Sequence, residues 1–306
     1  MSESPWPPPP YLPPVGGDQP VRPERARSFD GLTYSMTPGY RSLVMDVHVP
    51  EASDRPPVVL WIHGGGWMQG DRRLPPSVWP PGALFQTIID AGFAVATIEY
   101  RHSLEEPFPA QLHDAKAAIR YLRRFADDLG IDATRMVAWG ESAGGHLAAL
   151  VGLTGGKPEW EGEEGVPDGD TTVLGVVDWY GVHDGERMPL EGIAVDPARV
   201  PAGHVETYSR EPFRTLVDGS PLGAGALRQC SPVAQVHPDA PPFLLVHGDA
   251  DSLVPFEQSE LFAEALADAG VPVELRRVPG ADHVFFGQDP VPLMREAVAW
   301  IAERVG

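Results

Sequence analysis

Short apolar runs, several of them continuous, alternate along this chain with segments of helical period, and that alternation narrows its fold more than any other feature. The runs at residues 43–49, 58–62, 93–98, 135–139, 173–179, 243–246 and 273–278 read as strands, and VVLWI and FLLV carry no polar residue at all. A strand that is apolar on both faces belongs in a mostly parallel sheet covered by helices on both sides. Between the runs, Leu112, Ala115, Ile119, Leu122, Ala126 and Leu129 recur at spacings of three and four. Leu261, Phe262, Ala265 and Leu266 share a face in the same way, as do Met294, Ala297, Val298 and Ile301. These are amphipathic helices over residues 109–129, 256–269 and 290–305, with Gly270 as a stop for the second. Strand–helix alternation of this kind predicts an open α/β sheet that binds ligands at the carboxyl ends of its strands.

Three segments depart from the rhythm. Residues 181–231 hold scattered Gly, Pro and His without a long helical period, and a structureless loop of that length is improbable in a compact domain. They read as a cap-like insertion with short helices that covers part of the cleft. Residues 155–170 (GGKPEWEGEEGVPDGD) read as an exposed acidic loop. Residues 1–23 contain nine of the 35 prolines, a density that denies ladder hydrogen bonds and favours polyproline II. An arm over residues 1–27 is expected, lying on the surface, with the domain proper over 28–306. The start lacks the basic and apolar regions of a signal peptide, so the expected location is cytoplasmic.

Charge and cysteine content remove several function classes. The formal net charge is −20, which repels nucleic-acid phosphates and anionic lipid surfaces. No stretch approaches the roughly 20 apolar residues that span a bilayer. No nucleic-acid partner and no membrane are therefore expected. A single cysteine, Cys230, permits neither an internal disulfide nor a cysteine zinc cage, and reads as a small buried hydrophobe. No nucleotide-binding glycine motif opens a helix, and no H-E-x-x-H run is present.

The chemistry concentrates at strand ends. Gly140-Glu141-Ser142-Ala143-Gly144 follows the apolar MVAW and precedes GHLAALVGL. This is G-x-S-x-G in strand–turn–helix context, where a strained turn lifts the serine hydroxyl above the sheet. A serine hydroxyl needs a base and an orienting acid to act as nucleophile. Downstream, FLLVHGDADSLVP ends a strand in an acidic turn, and His283 follows the next strand. Asp249 and Asp251 both compete for the acid role. Asp251 is favoured because it lies deeper in the loop, before Leu253-Val254-Pro255, and Asp249 then reads as a turn-stabilising side chain. Residues 58–62 run into His63-Gly64-Gly65-Gly66-Trp67, where glycines leave backbone N–H groups open to an oxyanion. The expected donors are Gly65, Gly66 and Ala143, with His63 holding the loop by hydrogen bonds. Trp67, Trp179, Tyr180 and Phe285, with Phe286, fall near strand ends, either as core or as an apolar wall for short acyl or aromatic groups.

HGGGW, GESAG, HGDADSLVP and ADH, in that order, resemble the α/β-hydrolase superfamily. More narrowly they are similar to small bacterial carboxylesterases of the hormone-sensitive-lipase-like and feruloyl/acetyl-xylan-esterase-like type. IEYRHSLEEPFPAQLHDAKAAIRYL and CSPVAQV support the resemblance, which spans roughly residues 40–306. It implies the α/β-hydrolase fold, Ser142 as nucleophile, Asp251 as acid, His283 as base, and no metal or organic cofactor. The implied activity is a serine carboxylesterase on a small-molecule ester, short-chain or aromatic, with a rate rising through roughly pH 6–7 as His283 loses its proton. An arylformamidase or amidase, or an acyl-transfer tailoring enzyme, uses the same triad and stays open. A binding protein on this scaffold usually lacks a triad member, and here all three are present. Homo-oligomerisation follows only by analogy. Glu141 stands where lipase-like members often carry Asp, and the insertion is not diagnostic of any one substrate.

Overall fold

The computed structural model describes residues 20–36, 41–188 and 212–305. Eight strands form one sheet: β1 (Ala26–Ser35), β2 (Leu43–Pro50), β3 (Pro57–Ile62), β4 (Ala94–Ile98), β5 (Asp132–Glu141), β6 (Val176–Trp179), β7 (Phe243–Gly248) and β8 (Val273–Val278). Their order is β1-β2-β4-β3-β5-β6-β7-β8. The pairs β1–β2 and β2–β4 are antiparallel, and all the others are parallel. The six main helices are α1 (Ala83–Asp90), α2 (Ala110–Arg124), α3 (Ala143–Thr154), α4 (Pro212–Val217), α5 (Glu257–Asp268) and α6 (Val291–Val305). Among the described residues no helix is long and apolar enough to cross a membrane.

The apolar strands are explained by two cores, one on each face of the sheet. In β3, Val58, Leu60 and Ile62 enter the core formed with α2, α3 and α5. Val59 and Trp61 enter the other, formed with α1 and α6. Every residue of α3 is buried, so its sequence shows no polar stripe, as expected for a helix enclosed on all sides. After α5, Gly270 takes φ 78° and the Val271 N–H bonds the Leu266 carbonyl, the left-handed helix stop read from the sequence.

Two expectations need correction and one is partly outside view. Residues 26 and 27 begin β1, so strand takes the last two positions assigned to the arm, while residues 1–19 lie outside the described residues. The acidic segment 155–170 is not simply solvent-facing. Glu161 bonds Lys116 at 3.0 Å and Arg120 at 3.3 Å, and Glu164 bonds Arg101 at 2.8 Å. These cations lie at inward-facing positions of α2 and at the end of β4, where burial demands a carboxylate partner. Of the 181–231 insertion, residues 189–211 lie outside the described residues. The rest carries α4 and a short helical turn at Ala226–Gln229.

Candidate active site

Strand register assembles the site before any side chain is considered. Ile62 pairs with Gly140, Glu141 with Trp179, Trp179 with Val246, and Gly248 with Val278. The loops after β3, β5, β7 and β8 therefore emerge together at the carboxyl edge, as parallel sheets require.

The β5–α3 turn holds Ser142 at φ 53° and ψ −119°, a conformation costly for a residue with a Cβ. Its surroundings enforce that conformation. The Ser142 N–H bonds the Trp179 carbonyl at 2.8 Å, and the His146 N–H bonds the Ser142 carbonyl at 3.1 Å. Both flanking glycines are sterically required. A Cβ on Gly140 would lie 2.0 Å from the Gly144 carbonyl oxygen, and one on Gly144 would lie 2.0 Å from that of Ile62.

His283, in the short turn after β8, accepts from the Ser142 hydroxyl through Nε2 at 3.1 Å. Its Nδ1–H donates to Asp251 Oδ2 at 2.8 Å. Asp251 Oδ1 accepts the Leu253 and Val254 N–H groups at 2.9 and 2.8 Å. Asp282 clamps the two loops together, accepting from the Ser252 and His283 N–H groups, each at 2.8 Å. Asp249 instead accepts the Gly280 N–H at 2.7 Å, the turn-stabilising role left to it by the choice of Asp251. Burial penalises the Asp251 anion, but His283 and His247 outweigh that and hold its carboxyl well below the usual range. Burial likewise opposes charge on His283, and Asp251, Glu141 and Asp282 together raise its pKa above 6.5.

The glycine loop lies beside this constellation. Gly65, Gly66 and Trp67 take φ values of 108°, 61° and 56°, and neither glycine N–H has an acceptor among the described residues. Ala143 opens α3, so its N–H lacks an intrahelical acceptor. His63 supports the loop from below, donating Nδ1–H to the Gly64 carbonyl at 2.8 Å and stacking on Tyr100 at 4.4 Å. The turn and the paired loops thus bring a hydroxyl, an imidazole and a carboxylate into one hydrogen-bonded row beside the open N–H groups of the glycine loop.

A family model described as BD-FAE matches residues 45–266. The chain belongs to the BD-FAE family. Esterase LipC of Mycobacterium tuberculosis (strain ATCC 25618 / H37Rv) is 32% identical over 286 residues, covering 92% of this chain and 65% of LipC. Esterase LipQ of the same organism is 32% identical over 252 residues, covering 81% of this chain and 55% of LipQ. The chain thus spans between half and two thirds of the length of these relatives. A solved structure described as a truncated form of carbohydrate esterase from gut microbiota matches with TM-score 0.76 at 26% identity, covering 94% of this chain and 99% of that one. The α/β-hydrolase fold expected from the motifs is the fold of this BD-FAE chain.

The aromatic wall differs from expectation. Trp179 is fully buried in the α1/α6 core among Trp79, Trp139 and Phe285. It gives the site only its backbone carbonyl. Phe285 is 1% exposed in the same core, whereas its neighbour Phe286 is 46% exposed. Positive φ at Val284 and Phe285 turns the chain so that successive side chains face opposite ways. Tyr180, also buried, packs its ring 4.9 Å from that of His283. Trp67 is a buried strut. Its indole N–H bonds His146 Nδ1 at 3.2 Å, its ring meets Phe213 of α4, and His146 in turn donates Nε2–H to the Cys230 carbonyl at 2.7 Å. Burial pushes the Cys230 thiol up, so it stays a neutral hydrophobe.

Two BD-FAE residues join the site from outside the expected set. Glu141, the variable position of the elbow, accepts the Gly64 N–H at 2.6 Å. His247 sits 3.2 Å from Asp251 Oδ2 and bonds Val254 and Ser259, pinning the acid turn to α5. Each stands inside a quoted motif, GESAG and HGDAD, but only the fold shows which way its side chain points.

Proposed function

We propose that this chain is a serine carboxylesterase acting on small neutral esters. The observation that carries the reading is the continuous relay from Ser142 Oγ to His283 Nε2, at 3.1 Å, and from His283 Nδ1 to Asp251 Oδ2, at 2.8 Å. Ser142 attacks the ester carbonyl as its proton passes to His283, and the oxyanion forms against the N–H groups of Gly65, Gly66 and Ala143. Asp251 keeps the proton on Nδ1 of His283, which leaves Nε2 free to act as base. The alcohol departs with the proton from His283, and water, activated in the same way, cleaves the acyl-enzyme. Similarity to proteins named esterases supports ester chemistry, and the likeness to a carbohydrate esterase favours an acylated saccharide as one substrate class.

The test is hydrolysis of p-nitrophenyl esters from acetate to decanoate, together with an acetylated saccharide, a matched anilide and an N-formyl amide. Ser142→Ala is expected to lower the ester rate by roughly four to six orders of magnitude while leaving the fold intact. A wild-type rate matched by Ser142→Ala refutes the reading, and turnover confined to the N-formyl amide transfers it to formamidase.

A further inference from the structure

We infer that Glu141 is a positioning residue that sets the oxyanion loop, its carboxylate acting as a fixed acceptor for the Gly64 N–H. The inference rests on the esterase reading of the same site and adds to it a residue that touches no substrate.

Three observations converge. Glu141 ends β5 immediately before Ser142 and is only 6% exposed, so its carboxylate points into the protein rather than into solvent. Its Oε1 lies 2.6 Å from the Gly64 nitrogen, a charge-assisted contact of the stronger kind. The fit leaves no slack, since a Cβ on Gly64 would come within 2.2 Å of Oε1. Gly64 directly precedes the two glycines whose N–H groups face the oxyanion. Both take positive φ, so their directions are set by whatever anchors the loop's ends. The far end is held by the Met68 and Gln69 N–H groups on the Gly65 carbonyl, each at 3.2 Å. The near end is held by His63 through the Gly64 carbonyl and by Glu141 through the Gly64 N–H. A buried anion is costly unless bonded, and this one is retained where it joins the nucleophile's strand to the oxyanion loop.

The experiment compares Glu141→Gln, Glu141→Asp and Glu141→Leu, each on the alkaline plateau of its own pH–rate profile, so that a change in His283 protonation does not enter. The readouts are kcat and KM on p-nitrophenyl acetate, normalised to active sites by end-point titration with a serine-directed phosphonate. Gln keeps an acceptor oxygen in place and lacks charge, whereas Asp keeps the charge and withdraws the oxygen by about 1.5 Å. Glu141→Gln is expected within about threefold of wild type, and Glu141→Asp and Glu141→Leu are expected to lose roughly 10- to 100-fold in kcat with KM little changed. Should the Leu variant not fold, the order of Gln above Asp still decides. Asp equal to or above Gln, or Leu within about threefold of wild type, overturns the inference and leaves the esterase reading standing. Absence of Ser142-dependent turnover in the wild type overturns both.

Discussion

In the proposed mechanism His283 must be neutral to accept the Ser142 proton, and the charges around it decide when that happens. Asp251, Glu141 and Asp282 outweigh the effect of burial and raise its pKa above 6.5. On the proposed mechanism the acidic limb of kcat/KM is therefore expected above the 6.5 of an unperturbed histidine, and a fitted limb at or below 6.5 would contradict it. Glu141 carries an energetic consequence of its own. Burial pushes its carboxyl from 4.5 up to about 6, with His283 and the Gly64 N–H working in the opposite direction. A raised carboxyl pKa means that the folded state is favoured below pH 4.5 and loses that contribution as pH rises through about 6. At 1.36 kcal/mol per pH unit, the anion weakens the fold by about 2 kcal/mol near pH 8. Glu141→Gln should thus be more stable than wild type by about that amount at pH 8 and no more stable at pH 4.5. Denaturant midpoints at the two pH values measure it, and an equal difference at both would refute it.

At the scale of elements, α3 offers a controlled comparison between two glycines. Ala is the better helix former by about 1 kcal/mol, so propensity alone predicts stabilisation at both positions. A Cβ at Gly144 meets the Ile62 and His63 carbonyl oxygens, backbone that cannot yield, whereas one at Gly152 meets the Cγ2 of Val176 at 2.5 Å, a side-chain end. Gly144→Ala should cost at least roughly 1–3 kcal/mol and abolish the proposed ester hydrolysis, and Gly152→Ala should cost less and keep it. Thermal unfolding with rate measurements on both variants checks this, and equal losses would refute it. Elements of this kind were legible where burial is two-sided. The run 58–62 coincides with β3 to within a residue because nothing polar interrupts it, whereas 273–278 coincides with β8 through the alternation of Val273 and Leu275 with exposed Glu274 and Arg276. β1 escaped because ARSFDGLTYS is an edge strand, only partly buried and irregular in register between Phe29 and Leu32. α1 escaped because ALFQTIID is too short to show a full helical period. The site was legible as motifs, since turn, loop and strand end each impose local residue choices. It was not legible in Glu141, His247 or the inward turn of Trp179, whose roles depend on which strands become neighbours.

The whole molecule adds a field that no single motif encodes. Ser142 and His283, 141 residues apart, meet at one edge of a sheet in a chain of net charge −20. Several cations are spent inside. Arg72 pairs with Asp46 and Glu99, Arg101 with Asp114 and Glu164, and Lys116 and Arg120 with Glu161. The side chains of these four cations are at most 12% exposed, so they neutralise buried carboxylates and do little to offset the acidic exterior. A surface of one sign attracts opposite charge over a distance set by salt, about 30 Å at 0.01 M and 3 Å at 1 M. An ester bearing a quaternary ammonium should therefore reach the site faster than its uncharged isostere at low salt. Raising ionic strength from about 0.01 to 0.5 M should then lower kcat/KM for the cationic ester by roughly tenfold and leave the neutral one nearly unchanged. The neutral ester is the internal control, because salt effects on the fold or on His283 act on both substrates alike. Parallel salt curves for the two esters would mean that the acidic surface serves solubility alone and contributes nothing to encounter.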